Sequence, residues 1–291
     1  MNRMRLLFCA WVIMCLLGMS SLSAQTEPLP RSTNSATLVG MGGYNLMDTY
    51  LSPGAPERNY TGAGFSVLHE RMQMTCLADQ RISRQQLFRG ELARTENGAA
   101  TATDLAGFAT YSLGYHYHFT TPLPDLQFLA GAMAQGWLGF IYNTRNGNNP
   151  ASTKADADLR LSAMAFYTLR IKGYPIRLRY QGAIPFAGVC FSPHYNQSYY
   201  EIFDLGNHAG VVQFNSFHNK WAYQQLLTAD FPVGALTLRV GFLGNYYRTD
   251  LNAIQSHVVS RSFVIGLAVE TVKVASLFRK GATAPSRSAY Y

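Results

Sequence analysis

The residues of this chain that could do chemistry fall into three groups. Ser216, His218 and Asn219 sit within four positions in FNSFHNKWAY, the material of a hydrolase nucleophile and its base. Such a nucleophile needs the base in hydrogen-bond reach and a third group to orient it. In a regular strand Ser216 and His218 share a face, while Asn219 points away. A second group, Asp48, His194, Asp204, His208 and Asp250, falls near polar connecting stretches. Paired acids with a histidine there could activate water for peptide hydrolysis. The third group is basic: Arg170, Arg177, Arg179 and Arg239 against Asp230 and Glu270. It fits either a salt-bridged plug or a site for a small anion or acidic ligand, because the guanidinium's fixed fork of donors grips carboxylate and phosphate. No phosphate loop, dinucleotide fingerprint or metal motif of useful specificity occurs, so neither a cofactor nor a metal is expected. His116 and His118 read as packing residues.

Which of these groups meet depends on the strands that carry them. From Val259 the odd positions read Val, Arg, Phe, Ile, Leu, Val, and the even positions from Ser260 read Ser, Ser, Val, Gly, Ala, Glu. One face is greasy and the other small or polar, the period of a half-buried strand. Leu236, Leu238, Val240, Phe242 and Tyr246 alternate likewise with Thr237, Arg239, Gly241 and Asn245. Upstream come WAYQQLLTADFPV, PIRLRYQGAIPFAGVCF, DLRLSAMAFYTLRI, LQFLAGAMAQGWLGFIY and LAGFATYSLGYHYHF. Each reaches the roughly 10 residues that a tilted strand needs to cross an apolar band. TLVGMGGYNLMDTYL, TGAGFSVLHERMQM and ISRQQLFRGELAR alternate less cleanly and carry more charge; they are expected as the first three strands. The count is ten antiparallel strands, with twelve as the alternative.

The connections separate a membrane barrel from a soluble one. CLADQ, TPLPD, KGYP and GA are short, whereas SPGAPERN, TENGAATATD, NTRNGNNPASTKAD, SPHYNQSYYEIFDLGNH and RTDLNAIQSH are long and polar. This asymmetry predicts an all-β, up-and-down transmembrane β-barrel with short periplasmic turns, long external loops and periplasmic termini. Tyr115, Tyr117 and Phe119 would face out at the short-turn end, and Trp221, Tyr223 and Tyr246 at the long-loop end, as two aromatic girdles. A soluble β-sandwich with one greasy face is the alternative.

Two turns set registers. Gly234-Ala235 suits a type II′ hairpin with glycine first, pairing Val233 with Leu236, Asp230 with Arg239 and Tyr223 with Tyr246. KGYP is expected to set Ile171 opposite Ile176 and Arg170 opposite Arg177. Arg170, Arg177, Arg179 and Arg239 then gather inside at the short-turn end against Asp230 and Glu270. A ten-stranded barrel is narrow and can be filled by side chains, so the reading is a structural or binding protein, or a narrow, largely plugged pore. Counting from an outward Trp221, Ser216 and His218 face the lumen or the external rim, away from the lipid an esterase would need. A bulge would reverse that parity. An outer-membrane hydrolase, either a lipid esterase at Ser216 and His218 or a rim protease using the external Asp and His residues, is the competing class.

The start of the chain gives an address. MNRMRLLFCAWVIMCLLGMSSLSAQ has Arg3 and Arg5, then a short apolar run, then small residues, the pattern of a secretory signal peptide. Cleavage is expected after Ala24, with Ser23 the alternative. The segments are then 1–24 signal peptide, 25–35 lead, 36–275 barrel and 276–291 a flexible basic tail. The formal charge is +8, from 24 basic and 16 acidic residues, with no basic block or aromatic interleaving to suggest a nucleic-acid groove. Cys9 and Cys15 would leave with the peptide. Cys76 and Cys190 are sent to opposite ends of the barrel, beyond the ~7 Å Cα limit of a disulfide, and are expected as free thiols.

The stretches YNLMDTYLSPGAPERNYTGAGFSVLHERM, FNSFHNKWAYQQLLTADFPVGALTLRVGFLGNYYRTDLN and RSFVIGLAVE resemble an uncharacterised family of exported Bacteroidota proteins, a domain of unknown function. The resemblance covers most of the chain after the signal peptide. It implies a barrel-like outer-membrane protein and transfers no catalytic residue. The expected location is the outer membrane of a Gram-negative bacterium and the expected partners are its lipids; no partner protein is indicated.

Overall fold

The computed structural model describes residues 31–52, 59–271 and 288–290. The expected signal peptide 1–24, most of the expected lead and most of the expected tail lie outside them. Among the described residues are eleven strands, β1 Thr33–Asp48, β2 Tyr60–Met74, β3 Ile82–Asn97, β4 Thr103–Phe119, β5 Leu126–Asn143, β6 Ala151–Ile171, β7 Tyr174–Phe191, β8 Val212–Asn215, β9 Lys220–Val233, β10 Leu236–Leu251 and β11 Ile254–Glu270, and one short helix, α1 Tyr199–Phe203. Successive strands other than β8 and β9 pair antiparallel, and β1 also pairs with β11, from Asn34 opposite Glu270 to Asp48 opposite Ser256. The sheet therefore closes. β8 and β9 both pair with β7, β8 beside Gly188–Phe191 and β9 beside Arg177–Ala183. They form one stave interrupted at residues 216–219, so the barrel has ten staves.

Side-chain parity explains why the chain folds this way. In β11 the odd positions Phe263, Ile265 and Leu267 are exposed on the outer wall, while Ser260, Ser262 and Val264 are buried inside. In β3 the pattern is the same, with Phe88 and Leu92 outside and Gln85, Arg89 and Glu91 inside. The first three strands alternate poorly in sequence because their inward set mixes Leu38, Leu68 and Leu87 with charged residues. A filled lumen accepts both. Outward aromatics include Tyr115 and Phe119 at the short-turn end and Trp221 at the other. No helix among the described residues is long and apolar enough to cross a membrane.

The β9–β10 turn has the expected register: Val233 faces Leu236, Asp230 faces Arg239 and Tyr223 faces Tyr246, with Gly234 at φ +64°. The β6–β7 register differs from expectation by two residues. Ile171 faces Tyr174 and Arg170 faces Pro175, because Lys172 and Gly173 alone make the turn, both at positive φ. That is the two-residue geometry whose twist matches the strands. RTDLNAIQSH is not a long loop: Asn252 and Ala253 make another positive-φ pair between Leu251 and Ile254.

Inside, apolar layers separate ionic ones. Met72, Met74, Leu129, Met164, Phe166, Ala289 and Tyr290 cluster at the short-turn end. Leu38, Leu68, Leu87, Leu226, Leu243 and Val264 form an aliphatic layer across the middle. An aromatic layer that includes Tyr44, Tyr60, Phe108, Trp137 and Tyr247 fills the long-loop end. Phe108 stacks on Trp137 at 5.1 Å, and Trp137 meets Tyr247 at 4.5 Å. Between the layers a lumen cavity of about 10 Å³, beside Gln135, Gln181 and Gln224, has room for about one water.

Candidate functional site

The residues that meet with the most specific geometry are in the lumen near the short-turn end. Glu70 on β2 is 1% exposed and receives both terminal nitrogens of Arg179 from β7, each at 2.7 Å. Arg239 on β10 gives one terminal nitrogen to Glu70 at 3.1 Å. It holds Asp230 with two parallel bonds, Nε to Oδ1 at 2.6 Å and Nη2 to Oδ2 at 2.7 Å. Gln85 donates to Glu70 at 2.5 Å, and Gln181 accepts from Arg179. Two carboxylates thus face two guanidiniums in fork-to-fork geometry, the arrangement that makes buried ion pairs strong enough to offset desolvation.

The lower side of this cluster is closed by residues 288–290. The Tyr290 hydroxyl accepts from Arg179 at 3.2 Å, and its ring lies beneath the Arg239 and Arg179 guanidiniums at 4.9 and 5.3 Å. Tyr290 is 1% exposed and packs on Phe166 at 5.7 Å. Ser288 is tied to Asn34 at 3.1 Å and accepts from the Tyr290 amide. The expectation of a flexible tail is corrected for residues 288–290. An aromatic ring with a polar tip satisfies two cations that would otherwise border an open mouth.

The other predicted residues are placed as follows. Arg177 is buried, donating to Gln127 at 2.7 Å and Thr168 at 3.1 Å, over the Phe166 ring at 5.2 Å. Arg170 is not in the lumen cluster; it reaches Asp125 at 2.5 Å at the rim with 57% of its side chain exposed, because β6 runs past the barrel there. Glu270 is buried at the end of β11. Cys76 is exposed and Cys190 buried, both free. Tyr223 touches the Tyr180 hydroxyl on the outer wall. His116, with no exposed surface, has neither ring nitrogen hydrogen-bonded among the described residues.

Ser216 and His218 do not form a dyad. They lie in the break between β8 and β9, across which parity reverses: Phe214 is exposed and Asn215 buried before it, Trp221 exposed and Lys220 buried after it. The Ser216 hydroxyl donates to the Phe186 carbonyl at 2.7 Å, and the His218 ring stacks on Phe214 at 6.3 Å. Asn219 binds backbone, accepting from the Ser216 amide at 3.0 Å. The rim acids are also dispersed. Asp48 holds Lys154 at 2.6 Å, Asp250 accepts from Gln255 at 3.2 Å, and the His194 ring meets the Ala209 carbonyl at 3.1 Å. Among the described residues no group of three or more His, Cys, Asp or Glu could hold a metal.

Two ionic sets were not anticipated from sequence. Lys220 reaches Asp158 at 2.7 Å and also binds Asp156, which accepts from the Tyr247 hydroxyl at 3.2 Å. Arg160 joins Asp158 at 3.2 Å, and Arg89 joins Glu91 at 3.0 Å. The signal was present in KADADLR, where Lys154, Asp156, Asp158 and Arg160 fall on one parity. Above them Tyr50 donates to the Gln197 carbonyl at 2.8 Å. Burial, with Tyr199, Asp48 and Glu201 nearby, pushes its phenol up to about 12, so it remains a donor.

A closed antiparallel barrel of ten staves, greasy outside and filled inside, defines the class of this protein. Within it the chain belongs to the family described as "Protein of unknown function (DUF3316)", whose model matches residues 6–277. The resemblance read from the sequence holds at that level. No curated protein matches the chain. Among solved structures it is similar to the transport unit of the autotransporter AIDA-I from Escherichia coli, at 10% identity over 89% of this chain and 96% of that one, TM-score 0.46. It is also similar to the outer membrane protease OmpT from Escherichia coli, at 9% identity over 86% and 100%, TM-score 0.43. A third is the COG4313 outer membrane channel from Pseudomonas putida F1, at 9% identity over 85% and 99%, TM-score 0.34.

Proposed function

We propose that this protein is an exported outer-membrane β-barrel of a Gram-negative bacterium of the Bacteroidota, with a plugged, non-conducting lumen and periplasmic termini, acting as a structural or lipid-binding protein. Export by the segment 1–24 and the greasy outer wall, with Val39, Met41, Phe65, Leu92 and Phe263 exposed, support the location. The observation that carries the plug is Glu70 held by Arg179 and Arg239 with Tyr290 beneath them. An anion-selective pore needs cations left over for its ion, whereas here Arg179 and Arg239 are matched by Glu70 and Asp230. Packed apolar side chains on either side, the methionine and aromatic cluster with Phe166 and Tyr290 below and the aliphatic layer above, oppose water entry. The test is reconstitution of the purified barrel in a planar lipid bilayer. The expected outcome is no steady unitary current; a steady anion-selective conductance would remove the plug reading.

A further inference from the structure

The outer wall carries a hollow that neither the fold nor the plug requires. It lies across β10, β11, β1 and β2 at the height of the upper aromatic girdle and has a volume of about 530 Å³. Gly43, Thr61, Tyr246, Val259 and Arg261 are among the residues lining it. A second hollow of about 410 Å³ shares Tyr246 and is lined by Ile184, Phe217, Trp221 and Tyr223.

The glycines show why the wall is thin there. A Cβ at Gly42 would stand 1.9 Å from the Arg261 carbonyl oxygen, and one at Gly62 2.1 Å from the Arg94 oxygen, so those two glycines are demanded by backbone approach. Gly43 is different. A Cβ there would meet only the Gly62 oxygen, at 3.9 Å, and its neighbours along the same face, Met41 and Val39, are large and exposed. Glycine at 43 leaves open a space that sterics would let a side chain fill.

The margins of the hollow are polar and cationic. Arg261 and Arg248 are exposed on this face, and the nearby Asp250 is engaged by Gln255 at 3.2 Å. Two further lining residues, Asn45 and His257, are polar and partly exposed. Thr61 adds a hydroxyl. An apolar trough beside guanidiniums and polar side chains matches an acyl chain joined to a phosphate and to sugar hydroxyls.

We infer that this hollow holds one phosphorylated glycolipid of the outer leaflet. An acyl chain lies against Gly43, Val259 and Tyr246, its phosphate meets Arg261 and Arg248, and its sugar hydroxyls meet Asn45, Thr61 and His257. The inference rests on the outer-membrane reading with the long loops outside. Three polar lining side chains, Asn45, Thr61 and His257, suit the several hydroxyls of a sugar headgroup better than the smaller glycerol head of phosphatidylglycerol.

The test uses the full folded chain, purified in mild detergent and offered lipid A or phosphatidylglycerol at equal concentration, with retained lipid counted by native mass spectrometry. One lipid A per barrel is expected. Retention should fall at least five-fold in Gly43→Leu, which fills the trough, and in Arg261→Gln, and stay unchanged in Met41→Leu. Folding of each variant is read from heat-dependent gel migration; should Gly43→Leu not fold, Thr61→Leu and Arg261→Gln decide. Equal retention of phosphatidylglycerol, or lipid A retained equally by the filled or neutralised variants, would overturn the proposal. Binding is read on the isolated barrel, so its failure is distinct from failure of the location, which membrane fractionation reads separately.

Discussion

Glu70 is the residue on which the lower lumen depends, because it is the carboxylate shared by Arg179 and Arg239. Removing one partner of a buried pair strands a charge, at a cost of about 3 to 5 kcal/mol, whereas removing the pair together costs less. Glu70→Leu should therefore lower the urea unfolding midpoint of the folded barrel by more than the double variant Glu70→Leu with Arg179→Met does. A double variant no more stable than the single would remove the coupling. Tyr290→Ala acts on the same cluster from below. It should cost about 1 to 2 kcal/mol through the lost ring contact with two guanidiniums, in the same measurement.

At the level of elements, the seam between β1 and β11 admits two adjacent glycines with opposite requirements. Gly42→Ala should reduce the folded, heat-modifiable fraction several-fold, since its Cβ falls 1.9 Å from the Arg261 oxygen, while Gly43→Ala should fold normally. The Asn252-Ala253 turn holds Ala253 at φ +60°. Ala253→Gly should stabilise by about 0.5 to 1 kcal/mol, read as a higher urea midpoint, because glycine avoids the left-handed penalty and gives back part of the gain as chain entropy. Turns also mark what the sequence made legible. Gly234-Ala235 carried its whole register, and Asp230 with Arg239 followed from it. Lys172-Gly173 was misread because the strand continued through Tyr174 and Pro175, and the hydrogen bonding of a two-residue turn outweighed the proline as a boundary. Glu70 was missed because its strand alternates Leu68, Glu70 and Met72 inward, and a mixed inner face hides the period that an all-polar one would show. Ser216 and His218 were assigned a parity that the break after Asn215 reverses; nothing in FNSFHN marks the break before the pairing with β7 is known.

The whole molecule is a cylinder whose outside and inside are stabilised by different means. Outside, greasy strands face the surroundings; inside, ion pairs are separated by apolar layers so that each set is desolvated and matched. Such a closed cylinder resists detergent until heated, and the purified protein should migrate faster on a gel unheated than boiled. Identical migration would count against the closed sheet. Deleting residues 288–291 should leave that shift intact while lowering the urea midpoint, because Ala289 and Tyr290 pack in the lower lumen and belong to no stave.

The pairing of Asn34 with Glu270 joins segments at opposite ends of the barrel sequence. Until β11 arrives, β1 has one open edge and no partner for it, and every intermediate length of chain presents two raw margins to whatever surrounds it. Contacts so distant in sequence form slowly. Hairpins between neighbouring strands can form early, but a newly made copy has no closed wall, and so no inside, until its last strand meets its first.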